Sequence, residues 1–396
     1  MLKTLRNSIL NEKEAIRIPK SVQASIPIEK IYDDGTWKVN NNYSRTWLFT
    51  DINFAVASED DKRVILLQYC SFLNSLPTDA TIKITINNRK LNLKEFRRKL
   101  MLTSKKDNLD DYRAEYNRML QDKAAATQNM TQEKYITVSI HKKTIEEARA
   151  AFIRIEADLT ANLSRLSSTV IPMGNIQRLK LLHDFFRPSD KQEINIDLKQ
   201  IMRHGHNFKD SICPDSIMFQ SDHFEIDEKV GRVLFMKEYA AFIDDGMIAK
   251  LTDISKNMML SIDILPIPTE EALKEIQNKI LAVETDITRW QRKQNENYNF
   301  SAIIPYEMRQ MREEAEEFLD DITTKDERMM FALVTIVHTA DDIDQLNADT
   351  ESFISMVKSK FSNLAILRWQ QEDGLNTVLP YGLRRIHALR TLNTGS

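Results

Sequence analysis

Glycine is scarce. The chain has 8 glycines in 396 residues, about 2% against a usual ~7%. None of the eight is followed by lysine, and no GxGxxG occurs. A phosphate-cradling loop needs glycines so that backbone N–H groups can wrap the phosphates, and then a lysine. These positions therefore hold no recognisable nucleotide-phosphate site. Cysteine is nearly absent too, with only Cys70 and Cys213, which excludes a disulfide framework and suggests a reducing compartment. Net charge is −3, so the global basic field usual in nucleic-acid binders is missing. Long apolar runs are missing as well. The longest, Met329 to Ala340, includes Thr335 and His338 and falls far short of the roughly 18 residues a membrane helix needs. The N-terminal MLKTLRNSILNEKEAIR has no apolar segment of the secretory kind.

What remains is ordinary globular composition, 42% hydrophobic and 29% charged, with length for two or three domains. Residues 1–25 are polar and aperiodic and read as an arm. IPIEKIY, the Asp33-Asp34-Gly35 turn, TWKV and YSRTWLFT then read as strands and hairpins. Glu59 to Leu76 is an expected amphipathic helix with Leu66, Tyr69, Cys70, Leu73 and Leu76 on its inner face. ATIKITINN alternates as a strand, and charged helical segments separate it from the strand EKYITVSIHKK.

Ile145, Ala148, Phe152, Ile155, Leu159, Leu163 and Leu166 form one helical stripe. Adding 198 to each number gives Ile343, Leu346, Thr350, Phe353, Val357, Phe361 and Leu364, the same rhythm with one polar substitution. The flanking strands map at the same offset, ITVSI (136–140) onto VTIVH (334–338) and SSTVIPM onto AILRWQQ. Each half has a second strand–helix–strand unit upstream: YSRTWLFT to ATIKITINN, and RVLFMKEY to MMLSIDILPI. Two such units per half make the βαββαβ, ferredoxin-like pattern. The expected architecture is therefore α+β, with two tandem ferredoxin-like lobes at 26–172 and 216–372. A helical connector (173–215) joins them, a long helical hairpin (270–326) is inserted in the second, and 373–396 read as a linker.

RHGHNFKDSICPDS (203–216) gathers His204, His206 and Cys213. Two histidines two apart diverge on a helix, and a structural zinc site needs four ligands, so a turn between lobes is the better reading. The carboxylate run EEAEEFLDD (313–321) reads as a solvated helix face, since Arg309–Glu313 and Arg312–Glu316 are i,i+4 pairs. MMLSID (258–263) reads as a core strand. No residue stands out as catalytic, cofactor-binding or metal-ligating.

Several stretches together resemble one family: DINFAVAS, ATIKITINNRKLN, KDNLDDYRAEYN, HDFFR, GHNFKDSICPDS, LSIDILPIPTEEA, VETDITRWQRKQNENYNFSAIIPYEM, EEFLDDITTKDERMMF, VHTADD and QQEDGLNTVLPYGLRRIHALRTL. They are similar to the N-terminal half of the TraC/VirB-type conjugal transfer ATPases, the motors of type IV secretion, and most of all to the branch encoded by integrative conjugative elements of Gram-positive bacteria. The resemblance runs from about residue 18 to 392. In that family a RecA-like motor follows the GLNTVLPYG region, so the resemblance implies that ATP and magnesium belong to a motor outside these 396 residues. It also implies a cytoplasmic place, peripheral at the inner face of the bacterial cell membrane. The implied partners are the chain's own motor domain, other subunits of a homo-oligomer and membrane channel components. Single-stranded nucleic acid is the alternative partner, less favoured. At the hairpin tip, Arg289, Trp290, Arg292, Lys293, Tyr298 and Phe300 combine aromatic and cationic side chains, the usual anchors of protein interfaces. They are the candidate partner-binding residues.

Overall fold

The structure is a computed structural model describing residues 21–52, 54, 57–90, 101–126, 130–188, 196–239, 246–254, 256–296, 304–325, 327–360 and 362–395. It is a mixed α+β architecture built on one antiparallel sheet of 13 strands among those residues.

The first half opens with a short helix α1 (Val22–Ser25) and strands β1 (Ile28–Ile31), β2 (Trp37–Val39) and β3 (Asn42–Phe49). The turn between β1 and β2 falls at Asp33 to Gly35, where Gly35 takes φ +80 and a Cβ would lie 2.9 Å from the Met173 carbonyl oxygen. Then come α2 (Glu59–Ser75), β4 (Ala80–Lys90), α3 (Asp110–Ala126), β5 (Met130–Ile140), α4 (Ile145–Arg165), β6 (Val170–Pro172) and α5 (Asn175–Phe186). β6 and β5 both pair with β3, and β4 pairs with β5, giving the order β6–β3–β5–β4.

After helix α6 (Leu198–Arg203) the second half repeats the plan. A hairpin of β7 (Ile217–Phe219) and β8 (Phe224–Ile226) leads into β9 (Lys229–Glu238). There follow α7 (Gly246–Thr252), β10 (Met258–Pro266), a helical hairpin of α8 (Thr269–Glu296) and α9 (Tyr306–Thr324), β11 (Met329–Ala340), α10 (Ile343–Lys358), β12 (Asn363–Ile366) and α11 (Gln371–Val378). The order is again fourth–first–third–second, β12–β9–β11–β10. The parallel extends to the leading hairpins, because β2 and β8 each pair with the opening residues of β3 and β9. The two-residue turns before those strands hold Asn40 (φ 52) and Asp227 (φ 50), residue types that tolerate the left-handed region.

The halves join edge to edge. β4 pairs with β10 in antiparallel register, Ile84 opposite Ile262, flanked by Lys83–Asp263 on one side and Thr85–Ser261 on the other. One face of the sheet is covered by the lobe helices. Thr144 caps α4 and Asp342 caps α10, each accepting from a backbone N–H three residues on. α4 buries Ala148, Phe152, Ile155, Leu159 and Leu163, and α10 buries Leu346, Thr350, Phe353 and Val357, but Ile343, the first residue expected in the second stripe, is exposed. The second stripe ends early, since α10 stops at Lys358 and Leu364 belongs to β12, which spans 363–366 rather than 365–371. Phe361 lies outside the described residues.

α2 differs from its expected orientation. Phe72, Leu73 and Leu76 are buried, whereas Leu66 and Tyr69 are exposed. The helix packs through Ile65, Phe72, Leu73 and Leu76 into the cluster that also holds α4, so the 3.6-residue rhythm set the helix but not which face is inward.

The opposite face is covered by α5, α11 and the segment 379–389. Residues 373–395, which read as a linker, are packed against the sheet over most of their length. β13 (Arg390–Asn393) pairs with β11, and Gly382 (φ +82) crosses so close that a Cβ would meet the Ser44 and Ser139 Cβ atoms at 2.8 and 3.0 Å. The end of the expected arm is also tied down: Asn376 Nδ2 donates to the Ser25 carbonyl at 3.1 Å.

Truncation of either core phenylalanine, Phe152→Ala or Phe353→Ala, should lower stability by about 3–5 kcal/mol. Urea unfolding checks this, and a loss below about 1 kcal/mol would contradict the packing. His338, on β11 beside Phe353, supplies a pH test. Burial, with Arg232 and Lys256 nearby, pushes its imidazole down to about 3. An unfolded histidine titrates near ~6.5, so between those values the unfolded chain binds the extra proton. Stability should fall as pH drops through that window, by up to ~1.4 kcal/mol per pH unit from this group. His338→Leu should flatten the slope; an identical slope would contradict the assignment.

Candidate functional site

The hairpin of α8 and α9 is the feature that a compact lobe does not require. Its 28-residue first helix is about 42 Å long at ~1.5 Å per residue. At the base, Ile267, Ala272, Ile276, Ile322 and Met329 form a small apolar cluster, and Arg328 Nη1 donates to the Leu76 carbonyl at 3.4 Å. Further out, burial thins to Ile287 and Ala315, and Arg312 bridges the helices by reaching Glu284 at 3.2 Å and Glu316 at 2.9 Å. The other expected pair is replaced by a contact of the Arg309 guanidinium with the Tyr306 ring, 6.0 Å from its centroid.

Charge is polarised along the hairpin. The proximal part of α9 holds Glu313, Glu314, Glu316, Glu317, Asp320 and Asp321, whereas the distal part carries Arg289, Arg292, Lys293, Arg309 and Arg312. Arg289, Arg292 and Lys293 are exposed at i, i+3 and i+4 on one outer face, and Arg289 also approaches Asp286 at 3.5 Å. Trp290 is placed differently. It is half-buried and shares the spacing of Ile287 and Val283. Tyr298 and Phe300 lie outside the described residues. The described distal end thus exposes three cations on α8 and the Tyr306 ring at the start of α9.

At RHGHNFKDSICPDS the side chains do not converge. His204 and His206 are exposed, with ring centroids 6.2 Å apart. Cys213 is buried in the main apolar cluster, and burial pushes its thiol up to about 11. Asn207 caps a single 3-10 turn, Phe208–Ser211, and Lys209 Nζ donates to the Ile26 carbonyl at 2.7 Å. Among the described residues no group of three His, Cys, Asp or Glu side chains could hold a metal ion.

The polar groups that the sequence reading missed lie between the sheet and its C-terminal cover. Lys83 and Asp263 are 1% and 0% exposed and face each other across the β4–β10 seam. Lys83 Nζ donates to the Asp263 carboxylate at 2.7 Å and also to the Thr377 carbonyl. Burial pushes the ammonium down and the carboxyl up, and each charge partly offsets the other's shift. Ser261 Oγ donates to the Val378 carbonyl. Arg178 of α5 is buried with its guanidinium 3.7 Å from the Trp37 ring centroid. It donates to the Gly35 and Ser44 carbonyls at 3.1 Å and to the Pro380 carbonyl at 3.3 Å. Sealed from solvent, these groups cannot reach a ligand; they bind the C-terminal segment to the sheet. Their sequence signal was the polar phase of ATIKITINN, where Lys83 and Thr85 alternate with isoleucines as if facing water.

Lys83→Met alone should lower stability by about 3–5 kcal/mol, because it strands a buried carboxylate. Lys83→Met with Asp263→Leu should recover most of that loss. A double variant no more stable than the single one would contradict the pairing.

No family model matches the chain, and no curated protein matches it.

Proposed function

We propose that the chain is the N-terminal assembly and partner-binding domain of a TraC/VirB-type conjugal transfer ATPase, built from two ferredoxin-like lobes. In this reading it holds a RecA-like motor at the cytoplasmic face of a DNA-transfer channel, and ATP and magnesium act in that motor. The observation that carries the reading is the spread of resembling stretches over both halves, from about residue 18 to 392.

Three features support it. The fourth–first–third–second strand order recurs in both halves, which supports two ferredoxin-like lobes. The GLNTVLPYG stretch, after which the family's motor begins, is α11 and the segment pinned by Lys83, Ser261 and Arg178, a rigid base for whatever it carries. The hairpin extends a charged, sparsely buried surface suited to a neighbouring subunit or a channel component. Among the described residues no helix is long and apolar enough to cross a membrane, so attachment to the channel would run through protein contacts.

The nucleic-acid alternative needs a sheet face open to stack bases. Both faces of this sheet are covered, and Trp37 and Trp47 are buried. That argues for the assembly role.

In the full-length motor, Arg289→Ala with Arg292→Ala and Lys293→Ala should weaken subunit or channel association at least tenfold, measured by light scattering and pull-down, and leave single-strand DNA affinity unchanged. Intact association with lost DNA affinity would reverse the reading. The isolated 396 residues should show no ATP binding by calorimetry; micromolar affinity would contradict the division of labour.

A further inference from the structure

The sheet's two ends are unlike. At one end β1 carries Glu29 and Lys30, and Glu29 pairs with Lys38 at 3.1 Å. Charges on an outer strand are the usual guard against adding another strand. At the other end β7 is Ile217-Met218-Phe219, with Met218 56% exposed. Residues 216–228 contain no lysine or arginine, but they do contain Asp222, Glu225, Asp227 and Glu228. The Asp227 N–H donates to Ser216 O and the Gln220 N–H to His223 O. The even-numbered residues thus face β8, and the peptide groups of Ile217 and Phe219 point outward. Among the described residues no strand pairs with that side.

Beside this edge is an open pocket of about 300 Å³ lined by Phe219, Gln220, Ser221, Trp369, Gln371 and Glu372. Trp369 is 84% exposed and sits at φ +61, held there by its N–H bond to the Ser221 carbonyl at 2.6 Å. A left-handed, solvent-exposed tryptophan is unfavourable on both counts, by roughly 1–2 kcal/mol for the backbone alone, and such outliers cluster at binding sites. Glu372 supplies a carboxylate to the same pocket, and Arg385, which acts on it, is hydrogen-bonded to Asp373 at 3.4 Å. An indole face beside a carboxylate is the chemistry that receives a cationic side chain.

We propose that the β7 edge binds an extended segment of a partner protein as an added strand, with a lysine or arginine of that segment seated between the Trp369 indole and the Glu372 carboxylate. Backbone groups of Ile217 and Phe219 supply the strand pairing, and the pocket supplies selection. Asp222 is paired with Arg232 of β9 at 3.2 Å, so Glu225, Asp227 and Glu228 of the hairpin, with Glu372, set the charge of the partner.

A displayed library of random decapeptides panned on the full chain tests this. Wild type should enrich sequences with lysine or arginine flanked by β-formers, and a synthetic peptide of that class should shift the emission of Trp369, the most exposed of the four tryptophans. Trp369→Ala, Glu372→Gln and Ile217→Pro, the last removing an outward N–H, should each weaken binding at least tenfold while melting like wild type. No enrichment, enrichment without a cation, or enrichment that survives these variants would overturn the proposal. So would concentration-dependent self-association abolished by Ile217→Pro without peptide binding, which would make a second copy the occupant.

Discussion

The pairing of β4 with β10 is the constraint on which the rest of the structure depends. Each strand is the outer member of its own four-stranded set, and left alone each would be an unpaired edge inviting aggregation. Placed together they turn two sheets into one, with Ile84 and Ile262 opposite each other at the centre. Because the strands run antiparallel, the insertions that follow them leave from opposite ends of the seam. The α8–α9 hairpin starts near Ala80 and the end of α2, and the α3 region starts near the beginning of β10.

The seam also explains the unusual interior. A sheet with one solvated face would carry Lys83, Thr85, Asn87, Ser261 and Asp263 without difficulty. Here that face is roofed by α5, α11 and the strap 379–389, so each polar group must find a partner or lose about 1–3 kcal/mol. Lys83 donates to one Asp263 carboxylate oxygen at 2.7 Å, Thr85 bonds Ser261 at 3.0 Å, and Lys83 and Ser261 also donate to the Thr377 and Val378 carbonyls at the end of α11. The same groups that would be unfavourable in a dry core thereby fix the register of the two halves and the path of the C-terminal segment.

Much of this was legible in the residues. Periodicity located α4 and α10 and their buried stripes, the Asp-Gly pair located the first hairpin turn, and the strand–helix–strand succession led to the repeated strand order. What was not legible depended on tertiary context. Alternation in ATIKITINN looks identical whether the polar phase meets water or a covering strap. The stripe of α2 failed because the helix turns Ile65, Phe72 and Leu73 toward the cluster that holds α4, a choice of face its own rhythm does not fix. Trp290 was named as a partner-binding residue from composition, and the structure leaves it half-buried. The segment 373–396 was read as a linker because its arginines suggested solvent, whereas Tyr381, Leu383 and Ile386 are core. Trp369 carried no signal at all, since neither its backbone angle nor its exposure can be read from one letter.

The two halves form one body through the β4–β10 seam, a single platform that carries the hairpin between its central strands β10 and β11 and ends in the open β7 edge. Native-state hydrogen exchange on residues 82–88 and 258–264 tests it most directly. These amides should exchange only through global unfolding, with the same free energy in both strands and the same dependence on urea. Exchange of either strand through a lower-energy opening, with the other strand still protected, would contradict it.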